Sequence, residues 1–572
     1  MAGGLYRSAN AMPDGVPPPQ DGATLISASP ALESTAPPPE TAGSAAGNSA
    51  IMAIGSLVSR GTGFLRTLMV TAALGAFAVN DAYATALIIP QMVYEFLLGG
   101  ILTSVLVPVL VRRRRVDADG GQAYAQRLLT LAVLALGVAA VLAIVAAPVL
   151  TEIVAGGRGN DYQGLVTTLS RLLLPIIFFS GLSALVAAVL NTRGHFAAPM
   201  WTPILNNLVI IAACALYIAI YGARIIEPDE MSPGRILLLG GGTLLGIVVQ
   251  AVGLLPALRK VGFRWRWRFD FRELGLRELG RLGGWMFCYV AVNSLGLVVL
   301  FNLLNQVEGE SAGPAIYNNV FLLLMMAHGI IAVSIITALM PRMSAAAADG
   351  RFEDMASDLS RTVRTVTAVL APIAVCYAVL AGPIAVSLFD YGAARGDAGA
   401  ISPVLLVAAL ALIPFAVSQV FTFAFWALPD TRMPALINIP VVLLRVLVQV
   451  LVFIAFSTSV LASGMMFGNA VSYVAAAVIS AWLLRPRIGR LGLGAMLNTF
   501  GRVLVAALGA TLVGLLVVTL LPGQAIENRW LGFLEVAIGG AAIGATYLGL
   551  ALLLRIREIT TVVGMVRRRL GR

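Results

Sequence analysis

The sequence predicts an all-α polytopic membrane protein, and three observations predict it. Of 572 residues, 59% are hydrophobic and only 12% charged, against about 25% charged in a soluble protein. Mean hydropathy is +0.90. Apolar segments of membrane-spanning length then recur from about residue 50 onward, divided by polar or Pro/Gly-rich breaks. They fall near 50–77, 82–111, 123–154, 163–191, 197–221, 235–258, 281–307, 314–341, 361–389, 401–427, 434–457, 460–484, 497–521 and 530–556, about fourteen helices.

Residues 1–48 precede the first span. They are rich in Pro, Ala, Ser and Gly, with PPP at 17–19 and 37–39, and lack the apolar period needed to bury a core, so a disordered cytoplasmic tail is expected. No charged n-region leads into a short apolar stretch, which excludes a signal peptide. Lys+Arg exceed Asp+Glu by 39 to 28, giving +11. Loops that alternate to one side hold Arg112 to Arg115, the run Arg259 to Arg268, Arg342 and Arg351, Arg485 to Arg490, and the tail Arg567 to Arg569. The opposite loops hold Glu227, Asp229 and Glu230, then Glu308 and Glu310, then Glu527. Positive loops stay inside, so both termini are expected in the cytoplasm.

A weak internal repeat divides the spans. ILTSVLVPVL (101–110) resembles SIITALMPRM (334–343), and APMWTPILNN (198–207) echoes MPALINIPVV (433–442), an offset of six helices each time. An even offset implies two six-helix lobes related by a pseudo-twofold along the membrane normal. The expected division is a tail (1–48), an N-lobe (49–260), a C-lobe (261–490), two C-terminal helices (491–557) and a basic tail (558–572).

Charges inside apolar helices are the candidate functional residues, because each costs roughly 2.5–3.5 kcal/mol even on the lenient insertion scale. Arg60 and Arg66 lie in the first span, about 9 Å apart along the axis and about 120° around it. Two like charges so close have no stabilising rationale unless an anion comes between them, and arginine grips phosphate bidentately. The pair therefore predicts an anion-binding cavity at membrane depth. Asp81, Glu95, Asn206, Asn207 and Arg445 join it as candidate cavity residues, with Arg171, His328 and Gln449 as further candidates. Glu95 is expected to pair with Arg60 or Arg66. The asparagines would also serve as interhelix hydrogen bonds. Prolines at 90, 175, 203, 341 and 383 interrupt apolar segments and bend helices.

Other features read as packing. Cys214, Cys288 and Cys376 stand alone in apolar runs, so neither disulfide nor metal spacing exists. The run RWRWRF (264–269) interleaves aromatics with arginines, but between spans it reads as an interfacial stretch, not a nucleic-acid site. Gly240-Gly241-Gly242 lacks the following Gly-Lys-Ser/Thr of a phosphate loop and suits close helix packing. Two distant histidines, no clustered carboxylates and no nucleophile motif leave enzyme chemistry without a constellation. A transporter without cofactor or metal is expected.

The segments SRGTGFLR (59–66), NDAY (80–83), GILTSVLVPVL (100–110), RLLLP (171–175), LNTRGHFAAPMWTPILNN (190–207), ALMPRMS (338–344) and AGPIAVSLFDYG (381–392) resemble, in order, the MurJ/MviN lipid II flippases of the multidrug/oligosaccharidyl-lipid/polysaccharide exporter superfamily. SAGPAIYN (311–318) is similar to its actinobacterial branch. The resemblance implies alternating-access transport of undecaprenyl-pyrophosphate-linked disaccharide-pentapeptide (lipid II) to the outer leaflet. It assigns Arg60 and Arg66 as cavity arginines, Asp81 as the acid opening helix two, and 497–521 with 530–556 as the groove for the lipid tail. Two family arginines fall on Tyr94 and Leu322, so Arg445 or Arg171 is the expected substitute. Membrane lipids are expected partners, with cell-wall or division proteins at the N-terminal tail. The competing readings are a flippase for another polyprenyl-linked glycan, a cation-coupled drug exporter and a membrane scaffold for cell-wall enzymes.

Overall fold

A computed structural model of the chain describes residues 42–99, 107–306, 312–428, 430–521, 529–561 and 564. Helix α1 (Ala42–Leu74) is followed by α2 (Ala78–Tyr94), a π-turn at Glu95–Gly99 and α3 (Val107–Val116). Then come α4 (Gln122–Val145), α5 (Ala147–Ala155), α6 (Asn160–Leu173), α7 (Ile176–Thr192) and α8 (Ala197–Tyr221). Short α9 (Pro233–Ile236) runs through a second π-turn, Leu237–Gly241, into α10 (Gly242–Gly253) and α11 (Leu255–Lys260). The second half opens with α12 (Leu276–Leu304) and α13 (Pro314–Ala327), and a third π-turn, His328–Ala332, leads into α14 (Val333–Ala348). Next are α15 (Phe352–Val379), α16 (Ala381–Phe389), α17 (Ser402–Ala427), α18 (Arg432–Ala455) and α19 (Leu461–Ile488). A closing hairpin joins α20 (Leu493–Leu520) to α21 (Arg529–Leu553).

Among the described residues, twelve helical stretches are long and apolar enough to cross a membrane, from Gln122–Val145 to Arg529–Leu553. They match, in order, the third to fourteenth segments expected from sequence. The first expected span falls on α1, and the second on α2 through α3, whose residues 100–106 lie outside the described set. Helix α1 begins at Ala42, inside the segment expected to be a tail; the stretch AGSAAGNSA supplies alanines, the strongest helix former. The rest of that tail, the arginines 567–569, and Glu308, Glu310 and Glu527 lie outside the described residues.

Prolines punctuate as expected. Pro175 sits at the break between α6 and α7, Pro383 in the first turn of α16, and Pro90, Pro203 and Pro341 inside α2, α8 and α14. The three inside helices each remove a ladder hydrogen bond, whereas Pro175 and Pro383 stand where no ladder bond is lost. The glycine triple does let helices close up. A Cβ on Gly240 would strike Leu172, one on Gly242 would strike Ala213, and one on Gly246 would strike Asn206.

Packing follows chain order. Helix α2 lies on α6, α4 on α7, and α8 on α10 in the first half. In the second half α12 lies on α18, α15 on α17, and α17 on α19. The hairpin α20–α21 leans on α15 and α16. The halves meet where α2 touches α13 and where α5 touches α12. The aromatic–arginine run is an extended strap tied to the start of α4. Gln126 donates to the Arg264 carbonyl at 2.6 Å and accepts from Arg268 Nε at 2.9 Å, and Arg127 pairs with Asp270 at 2.5 Å. Trp267 and Phe269 stay exposed, as an interfacial stretch requires.

Candidate functional site

Two chambers open between the halves. The first, about 650 Å³, is lined from α1, α2, α7, α8, α10 and α13, with Arg66, Tyr83, Tyr94, Gln250 and Asn318 among its polar groups. The second, about 540 Å³, is lined from α2, α12, α13, α17, α18 and α19, with Tyr289, Tyr317, Asn438, Arg445 and Tyr473. Gln91, Glu95 and Asn318 line both, so α2 and α13 form a shared wall.

Arg66 is half-buried in the first chamber and, among the described residues, makes no ion pair. Tyr94 and Leu322, where the resembled family has arginines, also line this chamber. Arg445 reaches the second chamber from α18. Its guanidinium fills a notch at Gly296 on α12, where any Cβ would collide with it. Its Nε and Nη2 are sealed without an acceptor.

The remaining candidates are distributed differently. Arg60, expected to share a cavity with Arg66, lines neither chamber; its guanidinium lies over Gly329 in the third π-turn. The 120° between the two arginines sends them to different neighbours. Glu95 lines both chambers but accepts only from Gln91, at 3.2 Å, and its expected ion pair with Arg60 or Arg66 does not form. Asn206 is buried against Gly246 with its Oδ1 unpartnered, and Asn207 donates to Thr62 at 3.0 Å and to the Ser59 carbonyl at 3.3 Å, tying α8 to α1. Gln449 is fully buried and donates to the Met465 carbonyl at 3.2 Å, bonding α18 to α19. His328 is buried against Phe415, ring centroids 4.5 Å apart, and Arg171 is exposed on α6.

Asp81 belongs to a sealed end of the molecule, not to a chamber. Its carboxylate pairs with Arg158 at 3.3 Å and accepts from the Ala315 N–H at 2.8 Å, joining α2 to the start of α13. Both charged groups are buried, at 1% and 7% exposure, so each is costly unless the other stays in place. Around them, Asn305 accepts from Thr85 at 3.1 Å and from Tyr162, and donates to the Val154 carbonyl at 3.1 Å. Gln306 donates to the Gly156 carbonyl at 2.7 Å, and Asn319 to Thr71 at 3.1 Å. The Asp81–Arg158 pair lies within the first half, whereas the bonds from the Ala315 N–H, Asn305, Gln306 and Asn319 cross between the halves. The sequence reading missed Arg158, which sits in a Gly-Arg-Gly-Asn turn that looks like ordinary surface.

Helices sealed at one end, with chambers holding polar groups between two halves, have the exporter-superfamily fold. A multidrug resistance MATE family transporter of the MOP superfamily, solved in an inward-facing conformation, aligns with TM-score 0.61 and 16% identity over 77% of this chain and 98% of that one. A solved lipid II flippase MurJ, in an inward closed conformation, aligns with TM-score 0.69 and 18% identity over 91% of this chain and 99% of that one. The family model described as lipid II flippase MurJ matches residues 70–534. The lipid II flippase MurJ of Burkholderia cenocepacia is 28% identical over 399 residues, 68% of this chain and 74% of that protein. The chain belongs to the MurJ lipid II flippase family.

Proposed function

We propose that the protein moves lipid II, the undecaprenyl-pyrophosphate-linked peptidoglycan precursor, from the inner to the outer leaflet by alternating access. One observation carries the reading: Arg66 lines a chamber at membrane depth and, among the described residues, forms no ion pair with Glu95 or any other acid. A pyrophosphate cannot cross hydrocarbon bare, and a guanidinium in a wet chamber replaces the water it loses. Arg445 supplies a second cation in the adjoining chamber. Arg60, beside the π-turn of the opposite half, is suited to sense movement between the halves.

The reading extends to organisation. Residues 49–260 and 261–490 act as the rocking lobes of a fourteen-helix chain, 491–557 hold the polyprenyl tail, and 558–572 form a basic tail. Basic loops lie inside by the positive-inside rule, so both termini are cytoplasmic in a bacterial inner membrane and the sealed end with Asp81 faces outward. Residues lining the chambers near Pro199 and Pro434 open α8 and α18 on the basic-loop side, which supports a cytoplasm-facing state. Residues 1–48 would dock cell-wall or division proteins, checked by pull-down with and without them.

The decisive experiment is depletion with lipid II measured in each leaflet. Build-up in the inner leaflet supports transport; normal leaflet ratios with mislocalised septal proteins overturn it in favour of scaffolding. Outward movement of negative charge across an inside-negative membrane is downhill by about 2.3 kcal/mol per charge per 100 mV. Dissipating the potential is therefore expected to stop flipping, and unchanged flipping would overturn the coupling.

A further inference from the structure

We infer that the second chamber is a separate subsite in which Arg445 binds a carboxylate of the substrate's peptide, while the diphosphate stays with Arg66 in the first. The inference rests on the transport reading above and assigns the parts of the head group within it.

Three observations point the same way. First, the two cations do not share a pocket. Glu95 lines the wall common to both chambers, so one anion stretched between Arg66 and Arg445 would pass a carboxylate of its own sign. The adjacent phosphates of a diphosphate need no such stretch. Second, the Arg445 guanidinium is a held group rather than a stray one. The missing side chain at Gly296 makes the notch it fills, and Nε and Nη2 are sealed there without acceptors while the residue lines the second chamber. Sealed donors without partners cost stability and give the fold nothing in return. A guanidinium held fixed at a chamber wall is, however, preorganised for one charge-assisted bond to an incoming carboxylate.

Third, the rest of the chamber suits a peptide or sugar better than a bare ion. At about 540 Å³ it is far larger than an ion needs and within the range of pockets that enclose organic ligands. Tyr289, Tyr317 and Tyr473 offer ring faces, and Asn293, Gln419 and Asn438 offer amide donors and acceptors. Beyond the diphosphate, the ionised anionic groups on the head of lipid II are the peptide carboxylates. These are what an arginine in this second chamber would meet.

The test uses the full chain in nanodiscs and three lipids: undecaprenyl diphosphate, lipid II with its native peptide, and lipid II with every peptide carboxylate amidated. Wild type is expected to bind the native lipid about tenfold or more tightly than the amidated one, the loss of one charge-assisted hydrogen bond. Arg445→Gln is expected to bring that ratio near one, Arg445→Lys to keep part of it, and Arg66→Gln to weaken binding of all three lipids. Equal binding of native and amidated lipid by wild type overturns the inference without needing any variant. So does an undiminished ratio in Arg445→Gln. A wild-type protein that ignores all three lipids overturns the transport reading itself.

Discussion

The sealed end and the chambers are built from the same helices and hold opposite kinds of polar group. At the N-terminal end of α2, Asp81 is met by Arg158 and by the Ala315 N–H. At the far end of the same helical run, Glu95 faces two chambers with only Gln91 beside it. On neighbouring elements, Asn305 is satisfied on both its oxygen and its nitrogen, whereas Arg445 has two sealed nitrogens with none. A buried polar group with every partner in place stabilises one conformation; one without partners costs stability and waits for a ligand. Hydrogen-bond satisfaction, rather than charge alone, separates Asn305 and Asp81 at the sealed end from Arg445 in the second chamber.

Substitutions at the two regions should therefore move different observables. The largest effect is expected from Arg158→Met, which strands the Asp81 carboxylate. Breaking one side of a buried pair costs about 3–5 kcal/mol, so the melting temperature should fall, and a cysteine placed at Ala315 should label faster. Unchanged melting would mean that the seal is not held by this pair. Next, Arg66→Gln should weaken undecaprenyl diphosphate binding about a hundredfold, the loss of about two charge-assisted hydrogen bonds, without lowering the melting temperature. A fall in both would erase the distinction drawn here.

A smaller effect is expected where the regions adjoin. Gly329→Ala pushes a Cβ into the Arg60 guanidinium and should slow flipping severalfold, with Arg60→Ala restoring the fit but not the transport. The smallest lies outside both regions, in the loop before α18. Burial alone would raise the Asp430 carboxyl, but the Met433 N–H, the Arg487 guanidinium and the Arg432 N–H outweigh it and hold it below the usual value of 3.8. A group lowered on folding contributes stability above its unfolded value and loses it as pH falls through the folded one. Melting should therefore drop slightly more between pH 5 and about pH 3 in wild type than in Asp430→Asn; identical slopes would remove Asp430 from the balance.

Much of the fold could be read in advance because hydropathy is a local property. Each of the twelve stretches from α4 onward is one apolar run between polar breaks, and a membrane admits no other backbone solution for such a run. What the sequence hid is relational. The arginines of α1 were visible, but that Arg66 meets a chamber and Arg60 meets Gly329 depends on which half-molecule lies opposite. Asp81 was visible, but its partner Arg158 arrives from a turn 77 residues away. The asparagines 206 and 207 looked like site residues and are pinned against Gly246 and Thr62. The π-turns at 95–99, 237–241 and 328–332 could not be read in advance, since each is a local change of backbone hydrogen-bond register with no composition of its own.

The bonds from Asn305, Gln306 and Asn319 have a consequence for how the molecule lets go of itself. Amide and hydroxyl groups that part from one another in an aqueous vestibule trade each partner for a water molecule, at a net difference of only about 0.5–1.5 kcal/mol apiece. A lock made of such groups, beside an ion pair held within one half, is firm while dry and loosens once wetted. Hydration of that rim would then be the event that turns the carrier over, and heavy water or osmotic stress would be felt in the turnover rate before it was felt in binding.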